Sequence, residues 1–387
     1  MKRFLCLFLT TLLLLSLSSC KEDNPTPMPS KAEKTLFIYM PWTASESSTN
    51  GNLYSYFSNN IADIESAIKQ QGGLNNNRVL VFISKSSTYS ALLEIKYSNG
   101  QCTRDTLKRY NNYDYTTPNG IAGVLNDVKS NAEASLYDMI VGCHGNGWIP
   151  KGTEDYYRTR SFGGSSARYQ TEISDLASGI GLAGMHMQFI SFDDCYMAGV
   201  EVAYDLRNVA DYLIASTSEI MADGMPYSQV WQYMTPASPD YNHICQAFLN
   251  YYSSATNPYG TLSVINCNKI EDMANVMKNI NSQYTFDRSR LESIQKLDGF
   301  GQTTFFDLAS YVENLCGQTP APFTSTLSLL IPYCVHTAKI YTAFSEVNGG
   351  FSTVNINSFS GISISDPTTN TYLTSFLTQT NWWKATH

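Results

Sequence analysis

Two short segments concentrate the side chains able to do chemistry. In Val141-Gly142-Cys143-His144-Gly145-Asn146-Gly147-Trp148, an apolar run delivers a histidine into a glycine-rich turn. In Ile190-Ser191-Phe192-Asp193-Asp194-Cys195-Tyr196-Met197-Ala198, a second run delivers two aspartates and a cysteine. A thiol beside an imidazole is an activated nucleophile. If the two runs are parallel strands, His144 and Cys195 stand at one sheet edge. A helix starting directly after Cys195 would add thiolate character through its dipole. Cys143 is the rival nucleophile. Neighbouring strand residues point to opposite faces, so Cys143 and His144 do not share a crevice, and Cys195 is chosen. A lone histidine or free cysteine is ordinarily structural; joint placement at two strand ends favours the chemical reading.

The elements that position them alternate. Leu36–Met40, Val79–Ile83, Met139–Cys143, Met187–Phe192 and Tyr212–Ala215 are short apolar runs, read as buried strands. Between them, Ile61, Ile64 and Ile68, then Ile121, Val124, Leu125 and Val128, then Ile173, Leu176, Ala177 and Ile180, and Met197, Val200, Ala203 and Tyr204 each mark one helical face. Continuous apolar strands alternating with helices imply a parallel sheet covered on both faces. Sites in such sheets form beyond the carboxyl ends of the strands. Further on, Asn268 with Glu271 resembles a helix cap ahead of Ile270, Met273, Met277 and Ile280. Leu262–Asn266, Leu327–Ile331 and Ile362–Ser365 are candidate strands. The GxGxxG stretch Gly179–Gly184 stands between a helix and a following strand, the wrong order for a dinucleotide site. His186, His243 and His336 are isolated and read as structural.

Of 387 residues, 43% are hydrophobic and 15% charged, which supports a large core in one or two domains and excludes a disordered chain. A net charge of −8 argues against binding nucleic acid by phosphate neutralisation. Lys2 and Arg3 precede the uncharged stretch Phe4–Leu17, which is short for a membrane span and reads as a signal segment. Leu17-Ser18-Ser19-Cys20 resembles a bacterial lipobox, which implies cleavage before Cys20 and a lipid on its thiol; the alternative is a plain signal peptide. Lys21-Glu22-Asp23 resembles the export signal of surface-displayed lipoproteins of some Gram-negative lineages. Pro25, Pro27 and Pro29 then mark a tether. The expected organisation is a signal peptide over 1–19 and a lipidated cysteine with tether over 20–34. The protein would sit at the outer membrane or cell surface of a Gram-negative bacterium, meeting the membrane only through its lipid. Of nine cysteines, Cys6 leaves with the signal and Cys20 is lipidated; the remaining odd number leaves at least one thiol free or paired to another chain. No CxxC pair occurs, so no metal site is expected.

His144–Trp148 (HGNGW) and Phe192–Ala198 (FDDCYMA) together resemble the clostripain-like cysteine peptidases. Those enzymes share one caspase-like fold with caspases, gingipains and legumains. The likeness extends to Leu36–Met40, Asn52-Leu53, Asn60-Ile61, Val200–Tyr204, Ala215–Glu219 and Gly224–Tyr227, and more weakly to Trp382-Trp383. It implies a caspase-like α/β/α sandwich with a mostly parallel central sheet over 35–235, and a C-terminal α+β extension over 236–387. The implied activity is endopeptidase cleavage after Arg or Lys by a Cys195–His144 dyad through a thioester. Gly145 and Cys195 would offer the oxyanion-hole N–H groups, glycine allowing close approach. Asp193, two residues before the nucleophile, and Asp223 would form the acidic S1 pocket; a turn role before Gly224 is an equal reading of Asp223. No cofactor is implied; calcium activation occurs among relatives, but no calcium loop motif is visible. One departure stands out: the family commonly has a small residue where Asp194 sits, and a carboxylate there would raise the thiol pKa. Lys151, Arg158, Arg160 and Arg168, with Gly163 and Gly164, form a connector that is either cut in maturation or a solvated loop. The rival reading overall is a non-catalytic surface-binding lipoprotein on the same fold, its 26 tyrosines serving a glycan or protein.

Overall fold

The apolar runs become strands because both of their faces are covered. The computed structural model describes residues 31–41, 53–86, 88–153, 162–164, 169–342 and 352–387. Residues 1–19, Cys20, the tether as far as Ser30, Asn52, Arg158, Arg160 and Arg168 lie outside them, whereas Ala32–Lys34, expected as the end of the tether, open the strand Ala32–Met40. In chain order the elements are β1 (Ala32–Met40), α1 (Tyr54–Gln70), β2 (Asn77–Ser86), β3 (Tyr89–Ser98), β4 (Gln101–Asn111), α2 (Pro118–Asn131), β5 (Ala134–Val141), α3 (Ile173–Leu182), β6 (Met187–Phe192), α4 (Val200–Leu206), β7 (Ala210–Ala215), α5 (Tyr227–Met234), α6 (Tyr241–Ser254), β8 (Thr261–Asn266) and α7 (Ile270–Asn281). They continue with β9 (Phe306–Asp307), α8 (Leu308–Cys316), α9 (Ala321–Leu330), β10 (Tyr333–His336), β11 (Lys339–Thr342), β12 (Ser352–Asn355), β13 (Ser363–Ile364), α10 (Thr374–Leu377) and α11 (Asn381–Thr386).

Nine strands form one sheet in the order β10-β8-β7-β6-β5-β1-β2-β3-β4. The centre, β7 through β2, is parallel. The flanks β3–β4 and β8–β10 are antiparallel. Helices α1, α5 and α6 pack together on one side; α2, α3, α4, α7, α9 and α11 form a second connected set. α2 shows why such a helix forms here. Thr117 caps it by accepting from the Gly120 N–H, Pro118 occupies its first turn, and Ile121, Val124, Leu125 and Val128 bury one face. Residues 31–387 form one compact unit, with β8 and β10 extending the sheet that β1 begins. No helix among the described residues is long and apolar enough to cross a membrane.

Three features differ from the sequence expectation. Leu327–Ile331 is not a strand: Leu327–Leu330 close α9, and the strand follows at Tyr333. The cap expected at Asn268 is supplied by Asn266, whose side chain accepts from the Asn268 N–H of a short 3-10 turn. α4 starts only at Val200, so Cys195 is not at a helix N-terminus. At the opposite end of the sheet, fully buried Lys34 pairs with Asp138 at 2.7 Å and donates to the Pro236 and Met234 carbonyls. Burial pushes the Asp138 carboxyl up, and Lys34 pulls it back.

Candidate active site

The parallel ladder fixes the site. Val141 at the end of β5 is in register with Phe192 at the end of β6, and the Asp193 N–H donates to the Val141 carbonyl at 2.8 Å. The turns carrying His144 and Cys195 therefore leave adjacent strands at the same edge. They touch through Gly145. A Cβ at Gly145 would lie 2.7 Å from the Cys195 nitrogen and 2.8 Å from the Asp194 Cβ, so only glycine permits this approach. His144 and Cys195 are both partly exposed. Among the described residues, neither the Gly145 nor the Cys195 N–H is engaged by a carbonyl or side chain.

Cys195 lies in a tight turn. Tyr196 adopts φ 62°, a left-handed conformation unusual for a tyrosine and costing roughly 1–2 kcal/mol. Its fully buried ring stacks on Phe305 at 4.8 Å and meets Phe300 at 5.7 Å, and its hydroxyl donates to Glu219 Oε1 at 3.0 Å. Asp298 holds that aromatic loop by accepting the N–H groups of Phe300, Thr304 and Phe305. The last third of the chain thus supplies the floor of the Cys195 turn. Along the other side, the Ile220 N–H donates to Cys195 Sγ at 3.3 Å. Burial and then the Glu219 carboxylate push the Cys195 thiol up. This runs against the expected thiolate stabilisation: the helix begins too late to help, and Glu219, Asp194 and Asp193 all raise the thiol.

Asp193 and Asp194 point to different places. Asp193, half-buried, accepts from Met225 N–H at 2.9 Å, Tyr227 hydroxyl at 3.1 Å and Asn60 Nδ2 at 3.1 Å. Gly224, at φ 68°, lies so close that a Cβ would meet the carboxylate at 2.6 Å. No lysine or arginine among the described residues pairs with Asp193. Burial raises its carboxyl to about 6, against the lowering effect of Tyr227 and Met225. Asp223 is exposed, one residue before that glycine. Asp194 is buried and faces Cys143. Cys143, the rival nucleophile, is buried in the core with its thiol pushed well up, first by burial and then by Asp194. All seven cysteines of the described residues are free. His186, His243 and His336 bond to Asp211, Asp240 and the Thr337 carbonyl.

Residues 42–322 match the clostripain family, Peptidase C11. The chain belongs to that family. Among solved structures it is similar to a secreted C11 cysteine protease from Bacteroides thetaiotaomicron, iotapain, at 41% identity over 92% of this chain and 100% of that one, TM-score 0.84. It is also similar to an inactive zymogen C11 protease from Parabacteroides distasonis, at 27% identity over 93% and 99%, TM-score 0.79. A clostripain from Bacteroides thetaiotaomicron, solved with the peptide inhibitor BTN-VLTK-AOMK, is 45% identical over 58% of this chain and 99% of that one, TM-score 0.55. No curated protein matches. This clostripain-family chain is a cysteine protease, and its helix-flanked, mostly parallel sheet is the caspase-like fold of C11 enzymes. Glu219, Tyr196 and the donors Asn60, Met225 and Tyr227 around Asp193 fall in family-like segments of the sequence, which assigns them no role. Glu219 left one signal, an acid directly after the strand-end run Ala215-Ser216-Thr217-Ser218.

Proposed function

We propose that this protease is an endopeptidase that cleaves after Arg or Lys with Cys195 as nucleophile and His144 as acid and base. The observation that carries the specificity is the Asp193 carboxylate, held by three neutral donors beside the nucleophile turn and paired with no described cation. A guanidinium or ammonium group supplies the missing charge. The inhibitor BTN-VLTK-AOMK bound to the 45%-identical relative agrees, its peptide portion ending in K. Asp223, exposed and one residue before Gly224, is the second acid of this reading.

Burial and the Glu219 carboxylate push the Cys195 thiol up, and in this reading His144 takes the thiol proton as sulfur attacks the peptide carbonyl. The Gly145 and Cys195 N–H groups receive the oxyanion. Collapse breaks the C–N bond, His144 returns the proton to the leaving amine, and water then hydrolyses the thioester. Fluorogenic peptides ending in Arg, Lys, Asn or Asp, with and without calcium, test this. Cleavage after Arg or Lys is expected; cleavage only after Asn or Asp removes the acidic pocket. Silence on every peptide, with folded protein and an unreactive thiol, favours the non-catalytic surface-binding lipoprotein. Anchoring through Cys20 rests on the lipobox-like Leu17–Cys20, and a homologue described as secreted is in keeping with export. Labelled palmitate should enter the wild type and not Cys20→Ala. Intact mass beside Cys195→Ala decides whether the 151–168 connector is cut or stays a solvated loop.

A further inference from the structure

Asp194 is the residue at which this chain departs from the small side chain expected beside the nucleophile, and its carboxylate does not point at the Cys195 sulfur. It crosses to the neighbouring turn. Oδ1 accepts the Cys143 backbone N–H at 2.5 Å, and Oδ2 accepts the Cys143 thiol at 3.5 Å. Asp194 is 1% exposed, so bulk solvent does not reach these bonds. Cys143 is bonded directly to His144, and Asp194 directly to Cys195. The carboxylate is therefore a bridge one residue behind each reacting side chain. At the same junction, Gly145 packs against the Asp194 Cβ and the Cys195 backbone. The two turns are held at both points.

We propose that Asp194 is a positioning residue that latches the Cys143–His144 turn to the nucleophile turn and so sets the approach of His144 to Cys195. The inference rests on the dyad proposed above. A buried N–H left without an acceptor favours backbone rearrangement, and a displacement of about 1 Å at reacting atoms costs on the order of 10²-fold in rate.

Burial pushes the Asp194 carboxyl well above its ordinary range, against the pull of the Cys143 N–H and thiol, and Asn keeps the oxygen that accepts the Cys143 N–H. The test measures kcat and KM on the best peptide substrate for Asp194→Ala and Asp194→Asn. It also measures the rate of iodoacetamide labelling, read at the Cys195 peptide by mass spectrometry. The latch predicts that Asp194→Ala loses about 10²-fold in kcat with little change in KM, and labels Cys195 more slowly. Asp194→Asn should recover to within about tenfold of wild type through the retained acceptor. Faster labelling in both variants means the carboxylate is only an electrostatic brake on the thiol, and overturns the proposal. So does full kcat in Asp194→Ala, or equal impairment of both variants. Should Asp194→Ala fail to fold, Asp194→Ser, too short to reach both Cys143 atoms, carries the same expectation. His144→Ala keeps the two readings apart. Turnover surviving in His144→Ala sinks the dyad, whereas full kcat in Asp194→Ala beside a silent His144→Ala sinks only the latch.

Discussion

Replacing Asp193 by Asn tests the specificity pocket with little change in shape. Asn keeps one acceptor oxygen for Met225 N–H or the Tyr227 hydroxyl and removes the charge. A charge pair at about 4 Å in surroundings of effective dielectric about 20 is worth about 4 kcal/mol. Desolvation of the substrate cation offsets part of this, leaving roughly 2–4 kcal/mol, or about 30- to 1000-fold. Asp193→Asn should lose that factor in kcat/KM on peptides ending in Arg or Lys and almost nothing on peptides ending in an uncharged residue. The wild type should also show a pH dependence that the variant lacks. The Asp193 carboxyl is raised to about 6, so kcat/KM for basic peptides rises as pH climbs through that value and the carboxylate forms. Linkage gives the opposite sign for stability. A carboxyl whose folded pKa lies above its unfolded value stabilises the fold while protonated, and that contribution is lost as pH rises from about 4 to about 6. Thermal melts across this range should therefore move in favour of Asp193→Asn with rising pH. An unchanged preference for basic residues in Asp193→Asn refutes the pocket.

Three further outcomes follow from the same geometry. Gly145→Ala should fold yet lose about 10²-fold in kcat, because its Cβ would press on the Cys195 backbone; normal turnover would deny that contact. Glu219→Gln keeps an acceptor for the Tyr196 hydroxyl and removes the carboxylate that pushes the thiol up, so the pH profile of Cys195 alkylation should shift to lower pH; an unmoved or raised profile contradicts it. Lys34→Met leaves Asp138 buried without its cation and should cost about 3–5 kcal/mol in denaturant melts, and adding Asp138→Leu should recover much of the loss; a neutral single variant refutes the pairing.

The parallel centre was legible because burial on both faces writes itself as unbroken apolar runs, as in Leu36–Met40 and Met187–Phe192. The β3–β4 hairpin was not: β4 is an edge strand, exposed along Thr103–Thr106 and polar in sequence. Leu327–Ile331 misled because a short apolar run does not distinguish a strand from a helix end; Phe323 and Leu330 carry the buried face of α9 across two turns. At the site, the two strand ends and their residues stood out locally. The floor beneath Tyr196 did not, since Phe300 and Phe305 come from a loop about a hundred residues away in the chain. Nor did the direction of the two adjacent aspartates, which depends on whether Met225 or Cys143 offers the nearer N–H.

The central claim is that Cys195 and His144 together perform the cleavage. The most direct measurement compares wild type, Cys195→Ala and His144→Ala on a lysyl and an arginyl fluorogenic peptide, with thermal melts on all three. The account predicts turnover in the wild type alone, with the variants folded and silent. Cleavage that persists in either folded variant would contradict it.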